Sequence, residues 1–429
     1  MSLLCRLRFH KHLTVHCARR NLQIAVPGWR PTLILDEWVQ KEARPISLKQ
    51  LTFFARTLDR DKLLTSAEYL RKELPTRLAH RLRDLQQLPF SVVANPHISH
   101  VYELYYDAFD TFRKVQPITT VEANDAYCEL VRSKLTDHLT IIPRLAMGVL
   151  ECRDMMPPEP MDNLIYALLR SRISRRVIAE HHLALTQSFK QVEPQTRNDD
   201  GEFVGQVFLK CNAQRVLNKC GALSQALAQK SMPGILVPEI KLEGDLEATF
   251  PYILSHLEYI IGELLRNSVT AVMERAQRDG IQPPPIKVLV CEAPQHVIFR
   301  ISDQGGGIPR DIMPYLWSFA KGPRREARLE NLNKVPKLAA TIEELGSAAT
   351  PSAKDSLLPA GQSLRSLTYR SPNLKLGIGL PMSRIYAEYW AGSLNVHSLE
   401  GYGTDQFLHI SKWGNKNEQL STRASMDSL

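Results

Sequence analysis

Apolar residues recur at helical spacing from Ser47 through Leu85, with Leu, Phe and Ala set among many Arg and Lys, which predicts amphipathic helix. Asn95-Pro96 breaks the run. A second helix then carries Tyr102, Leu104, Tyr105, Ala108, Phe109 and Phe112 and ends at Gln116-Pro117. A long amphipathic stretch follows from Val121 to about Leu150, running through Pro143. After Pro157-Pro158-Glu159-Pro160, Asp162 is placed to cap a helix from Asn163 to about Leu185. Long helices separated by short breaks predict an antiparallel bundle over residues 36–190.

The texture changes after residues 191–202, a polar linker containing Asn198-Asp199-Asp200-Gly201. Strand-like runs now appear at Phe203–Leu209, Ile286–Cys291, Val297–Ser302, Ser393–Ser398 and Gln406–Ile410, with helices between them. Val297, Phe299 and Ile301 alternate and should share one sheet face. Residues 203–413 therefore read as a second domain, and the whole chain as α+β. Inside that domain, residues 340–373 are rich in Ser, Ala, Leu and Pro and lack periodicity. So long an aperiodic stretch in a compact domain points to a functional loop or a disordered one. The tail, 414–429, is polar and expected to be loose.

Charge modifies this picture at the N-terminus. The chain has 429 residues, 54 basic and 45 acidic, for a net charge of +9. Before the first acidic residue, Asp36, lie Arg6, Arg8, Lys11, Arg19, Arg20 and Arg30 among apolar residues. An acid-free, Arg-bearing leader reads as a mitochondrial presequence over residues 1–35, the alternative being a frayed basic arm. Without those six basic residues, 48 stand against 45, a net of +3. The basic character that would favour a nucleic-acid partner largely disappears. No apolar run is long enough to predict a membrane span. The seven cysteines include no C-x-x-C pair and are odd in number, which argues against a disulfide framework or a zinc site.

Four segments carry candidate chemistry. In Gly262-Glu263-Leu264-Leu265-Arg266-Asn267, Glu263 and Asn267 are four apart and stack on one helix face. A carboxamide oxygen can ligate Mg²⁺ without adding charge, leaving the neighbouring carboxylate free to accept a proton. In Asp303-Gln304-Gly305-Gly306-Gly307-Ile308-Pro309, an acid at a strand end precedes consecutive glycines. Asp303 can accept from an exocyclic amine, and the glycines let backbone approach a ligand closely. Gly377-Ile378-Gly379-Leu380 precedes a helix, where free N–H groups attract anions. It is neither G-x-x-x-x-G-K-S/T nor G-x-G-x-x-G. The fourth segment, Gly401-Tyr402-Gly403-Thr404-Asp405, is a tight turn between two predicted strands.

In this order the four segments resemble the Bergerat-fold (GHKL) ATPases. The resemblance narrows to the mitochondrial 2-oxoacid dehydrogenase kinases through Leu88-Pro89-Phe90 to Asn95-Pro96, His100 to Tyr105, and Tyr127 to Arg132. Arg172-Ile173-Ser174-Arg175-Arg176, His181 to Leu185, and Leu380 to Tyr389 belong to the same pattern. It extends from about residue 45 to 412. The resemblance implies a helical bundle joined to a Bergerat α/β sandwich. It implies a matrix enzyme using ATP and Mg²⁺ (K⁺ being a further ion it allows) to phosphorylate serine on a decarboxylase α subunit. It further implies docking to the lipoyl domain of the acyltransferase core, and a homodimer or a heterodimer with a related kinase. Within the family, Tyr259, where pyruvate-type members usually carry His, and His181 to Leu185 lean toward the branched-chain member.

Residue by residue, the resemblance makes Glu263 the general base and Asn267 the Mg²⁺ ligand. Asp303 would hold the adenine amine, with Gly305, Gly307, Ile308 and Thr404 lining that pocket. Gly377, Gly379 and Leu380 would cradle phosphates in a lid spanning about residues 320–376. His138, Arg172 and Arg176 match an allosteric carboxylate pocket. Arg266 replaces the family's usual Lys, Lys375 replaces the first glycine of a G-x-G-x-G run, and the lid insert is longer than usual. Two other readings stand beside the kinase: a non-catalytic nucleotide-binding scaffold, and a histidine kinase with His256 as its nearest phosphoacceptor.

Overall fold

The computed structural model describes residues 32–56, 58–190, 203–341, 344, 364–367, 369–412 and 417–420. The linker and most of the presequence and of residues 340–373 lie outside the described residues.

The N-terminal half is helical throughout: α1 (Thr32–Val39), α2 (Leu48–Arg56), α3 (Arg60–Gln86), α4 (Phe90–Val93), α5 (Pro96–Arg113), α6 (Val121–Asp137), α7 (Ile141–Cys152) and α8 (Pro158–Lys190). Local chemistry explains the boundaries. Asp59 accepts from Lys62 N and starts α3, dividing the run expected to continue from Ser47. Asn95 accepts from His97 N and Ile98 N, and Pro96 opens α5 with its φ preset. The stretch from Val121 divides at a 3₁₀ turn, His138–Thr140, which puts Pro143 in the first turn of α7, where its missing N–H costs nothing.

Three further boundaries differ from expectation. The first helix begins at Thr32 and buries Leu35, so folded structure starts ahead of residue 36. Helix α8 begins at Pro158, and Asp162 does not cap it. Its carboxylate instead accepts from Phe319 N (2.8 Å) and Ala320 N (3.3 Å) in the other half. The tail is not loose over residues 417–420. Asn417 bridges Ser47, and Glu418 is buried on Arg77 (2.7 Å) and Ile46 N (3.2 Å), with Tyr389 OH donating to its other oxygen.

The C-terminal half is built on a five-stranded sheet in the order β3-β5-β6-β10-β9. Its strands are β3 (Ile240–Gly244), β5 (Ile286–Glu292), β6 (His296–Asp303), β9 (Ser393–Leu399) and β10 (Gly403–Ser411). β3 runs parallel to β5, and the other pairings are antiparallel. A small sheet joins β1 (Phe203–Val204), β2 (Val207–Asn212) and β4 (Thr249–Tyr252). The run expected as one strand from Phe203 turns at Gly205-Gln206, with Gly205 at φ +62°. A Cβ there would lie 2.4 Å from the His181 ring, so α8 packs directly beneath the hairpin.

Val297, Phe299 and Ile301 do share one buried face, alongside Ile286, Val288 and Val290 of β5. Against the sheet lie α10 (Leu254–Asp279) and α12 (Gly379–Tyr389), with α9 (Ala213–Ser231) beside α10. Each fully buried aliphatic or aromatic side chain contributes about 2 kcal/mol. α10 supplies Leu257, Ile260, Ile261, Leu264, Leu265, Val269 and Val272. It ends at Gly280, whose φ of +65° forms a left-handed cap. Between β6 and α12 along the chain come α11 (Arg325–Asn333) and a parallel pair, β7 (Lys337–Ala339) with β8 (Leu364–Ser366). β7 packs on α7, and the buried apolar side chains of both halves form one cluster. The α+β class and its division into a helical and a mixed-sheet half are as expected.

Candidate functional site

Helix α10 carries the acid and amide of the first motif toward a cavity of about 690 Å³, within the range of small-ligand pockets. Glu263, Arg266, Asn267, Thr270, Ala271 and Glu274 form one wall, the stripe expected for side chains three and four apart. The opposite wall comes from Gly377, Gly379 and Leu380 at the start of α12 and from Arg370 and Lys375 before it. Lys321, Arg324 and Arg328 complete a strongly cationic lining.

The two glycines of the third motif are required by close approach. A Cβ on Gly379 would sit 2.1 Å from Glu263 Oε2. A Cβ on Gly377, at φ +70°, would sit 2.4 Å from Arg328 Nε. Arg328 is buried and donates to the carbonyls of Phe319 (2.9 Å), Lys321 (3.2 Å), Leu376 (3.3 Å) and Gly377 (3.3 Å), holding both ends of the loop together. Nothing in the sequence motifs flagged Arg328. Lys375 reaches Glu274 at 2.5 Å across the cavity mouth.

Glu263 is almost fully enclosed, at 1% exposure. Arg370 donates from Nη1 to Oε1 (2.6 Å) and from Nη2 to Oε2 (3.0 Å), and Arg266 donates to Oε2 as well. Burial pushes the Glu263 carboxyl up, but the Arg266 and Arg370 guanidiniums outweigh it and hold the group below its ordinary value. Sequence reasoning missed Arg370, which lies in the aperiodic segment and carries no motif.

The second and fourth motifs meet at the end of the sheet. Asp303 of β6 pairs in register with Thr404 of β10. Its Oδ1 accepts from Gly305 N (2.9 Å) and its Oδ2 from Ser268 Oγ (2.7 Å), which in turn accepts from Gln406 Nε2 (2.9 Å). Burial raises the Asp303 carboxyl above its ordinary value, partly offset by these donors. Gly307, at φ +72°, approaches Leu399 O so closely that a Cβ would be 2.2 Å away, and Ile308 N donates to Ser398 Oγ (2.6 Å). Asp303, Gly305, Gly307, Ile308 and Thr404 do not line the cavity. They adjoin it through α10, where a Cβ on Gly305 would meet Ala271 Cβ at 2.6 Å. Ser268, next to Asn267, is the link between the two groups.

The three residues of the expected allosteric pocket are all buried but part company. His138 faces Tyr105 edge-on (5.7 Å) and, with Arg175, lines a void of about 20 Å³, room for about one water. Arg172 and Arg176 turn instead toward Glu344. Arg172 donates to both of its oxygens (3.0 and 2.7 Å), and Arg176, paired with Glu180 at 2.6 Å, lies 3.5 Å from Oε1. Burial pushes Glu344 up, but Arg172 and Arg176 bring it well below its ordinary value. His256, the nearest phosphoacceptor for a histidine kinase, is buried between Tyr386 (ring centroids 4.6 Å) and Tyr389 (6.5 Å), and burial drives its pKa down to about 3.

Comparison with known proteins accords with this geometry. Residues 45–208 match the family described as mitochondrial branched-chain alpha-ketoacid dehydrogenase kinase. Residues 253–413 match that of the histidine kinase-, DNA gyrase B- and HSP90-like ATPases. Mitochondrial pyruvate dehydrogenase (acetyl-transferring) kinase 2 of Saccharomyces cerevisiae is 35% identical over 416 residues, covering 88% of this chain and 84% of the relative. The Arabidopsis thaliana mitochondrial pyruvate dehydrogenase kinase is 29% identical over 393 residues, 90% of this chain and 95% of the relative. Human mitochondrial isozyme 1 is 28% identical over 390 residues, 88% and 79% respectively. The lean toward a branched-chain member is not singled out by these relatives.

Proposed function

The chain belongs to the family of mitochondrial pyruvate dehydrogenase (acetyl-transferring) kinases, and we propose that it is the serine kinase of a matrix pyruvate dehydrogenase complex. In this reading it transfers the γ-phosphoryl group of ATP to the decarboxylase α subunit and so inactivates the complex. The observation that supports it best is the single stripe of α10, which presents Glu263 and Asn267 to a cationic cavity closed by Gly377 and Gly379. Phosphoryl transfer asks mainly for positioning and charge neutralisation, with one group orienting the nucleophile.

The residues divide that work. Asp303, its geometry fixed by Ser268 and Gly305, would accept the adenine amine. Lys321, Arg324 and the N-terminus of α12 would neutralise phosphate charge. Glu263 would take the proton of the acceptor serine. Asn267, half-buried and lining the cavity, offers one neutral oxygen. That suits Mg²⁺, which binds through few protein ligands and several phosphate oxygens; when bound, the ion supplies charge neutralisation on the phosphates. The helical half would dock the lipoyl domain of the acyltransferase core, and the kinase would act as a homodimer or with a related kinase. A 2-oxoacid sensed by Arg172, Arg176 and His138 would have to displace Glu344 from the two arginines.

The test uses purified protein, Mg-ATP, and pyruvate and branched-chain dehydrogenase complexes side by side, following serine phosphate and loss of dehydrogenase activity. The pyruvate complex should be the better substrate. Glu263→Gln should lower transfer by at least about 100-fold, as expected for loss of a general base, while nucleotide still binds. Transfer that survives in this variant would remove Glu263 as the base. Binding without transfer by the unaltered protein would favour the scaffold reading.

A further inference from the structure

Arg370 sits between β8 and α12 and is 5% exposed, yet it lines the cavity. Its two terminal nitrogens span both oxygens of Glu263, and Nη1 also donates to Leu367 O (2.7 Å). With Arg266 on the same carboxylate, both oxygens are engaged and the group is held ionised. A carboxylate in that state is a poor proton acceptor, because its charge is already neutralised and three of its roughly four lone-pair sites are committed. The two arginines are not equivalent. Arg266 is three residues from Glu263 on the same helix and moves with it. Arg370 belongs to the segment that leads into the glycine loop, and Gly379 is packed directly against the Glu263–Arg370 pair.

Two other cations of the cavity already have partners of their own. Arg328 is spent on four backbone carbonyls, and Lys375 is paired with Glu274 at the mouth. Arg370 Nε is buried and has no partner among the described residues. A guanidinium fork fits a phosphate as well as a carboxylate, and a nucleoside triphosphate carries more charge than one carboxylate.

We propose that Arg370 is a γ-phosphate-responsive gate on the catalytic base. Without nucleotide it masks Glu263; on entry of a nucleoside triphosphate it transfers to the γ-phosphate and leaves the carboxylate free. The serine O–H bond then breaks with its proton passing to Glu263, the serine oxygen bonds to the γ-phosphorus, and the bond to the β-phosphate oxygen breaks to release the diphosphate. The diphosphate lacks the group that draws Arg370 away, so Glu263 is masked again after turnover. This inference rests on the reading of Glu263 as base.

The experiment compares the full-length protein with its Arg370→Met and Arg370→Lys variants. It measures equilibrium binding of Mg-ADP and of a non-hydrolysable Mg-ATP analogue, and the pH dependence of kcat/KM, which reports the free enzyme. Arg370→Met should lose about tenfold in affinity for the triphosphate with little change for the diphosphate, about 1.4 kcal/mol of discrimination. The acid limb of kcat/KM should move up by about one pH unit as Glu263 loses a cation. Arg370→Lys should recover part of the triphosphate preference. Equal losses for both nucleotides, or none with an unmoved limb, would overturn the proposal and leave Arg370 a structural partner. Glu263→Gln run in the same assays separates the two readings. Transfer that persists there, with discrimination still dependent on Arg370, sinks the base assignment and with it the gate, while leaving the phosphate contact.

Discussion

His181, His182 and His256 are buried, and burial drives their pKa values down to about 3, 4 and 3. His182 bridges Ser66 Oγ (3.0 Å) and Asn124 Oδ1 (2.9 Å), and His181 Nδ1 accepts from Gln206 N (3.3 Å) across to the hairpin of the other half. Folded, these rings stay neutral where the unfolded chain takes up protons near pH 6.5. The unfolded state therefore binds more protons below that pH, and stability falls as pH drops from about 6.5 toward 4. Each ring costs about 1.4 kcal/mol per pH unit in that window, roughly 2 kcal/mol by pH 5. Urea midpoints taken between pH 7.5 and 5 should show the decline. His256→Phe, which keeps an aromatic ring between Tyr386 and Tyr389, should make it shallower by one histidine's share. An unchanged slope would mean His256 is protonated in the fold. The His181-His182 motif was visible in the sequence, but its role was not: adjacent residues on a helix point to different neighbours, and those neighbours come from distant elements.

At the scale of elements, helix α8 shows how an aperiodic segment can complete a periodic one. Arg172 and Arg176 are one turn apart, the family resemblance matches them to a ligand pocket, and the structure fills their grasp with Glu344. Burying such charges is tolerable only when they are paired. Glu344→Gln should thus cost about 3–5 kcal/mol in urea unfolding, since it strands the Arg172 guanidinium, while Arg176 keeps Glu180 at 2.6 Å. Arg172→Met combined with Glu344→Leu should recover much of that loss. The double-mutant cycle should yield a coupling well above the few tenths expected for independent sites; simple additivity would show that the pair is not an energetic unit. Helix periodicity identified α8, and nothing local identified its partner 172 residues away.

Across the whole molecule, the two halves are joined by buried polar contacts as well as by a shared apolar core. Glu418 crosses back to α3 and meets Arg77, which also binds Glu73 (3.1 Å) and the Arg44 carbonyl (2.9 Å). Tyr389, at the end of α12, donates to the same carboxylate. The C-terminal segment therefore ties the helical bundle to the helix that begins at Gly379. Glu418→Gln should cost roughly 3 kcal/mol, because Arg77 keeps only part of its compensation. A change within about 0.5 kcal/mol, the usual result at a surface position, would show that the segment merely rests on the fold.

The sequence by itself determined what depends on short range: helix and strand periods, the break at Asn95-Pro96, and the stacking of Glu263 with Asn267. It also determined the alternation that buries Val297, Phe299 and Ile301, because a period of two leaves one face for the core. The glycines of the second motif were legible as places of close approach, though not that Ala271 and Leu399 O are what stand against them. Only the tertiary structure decided that Arg370 lies on Glu263, Glu344 on Arg172, Glu418 on Arg77 and Asp162 on Phe319 N. Each of these joins a charged side chain to a group far along the chain. Buried charge must find a partner wherever folding brings one, and no local pattern encodes that distance.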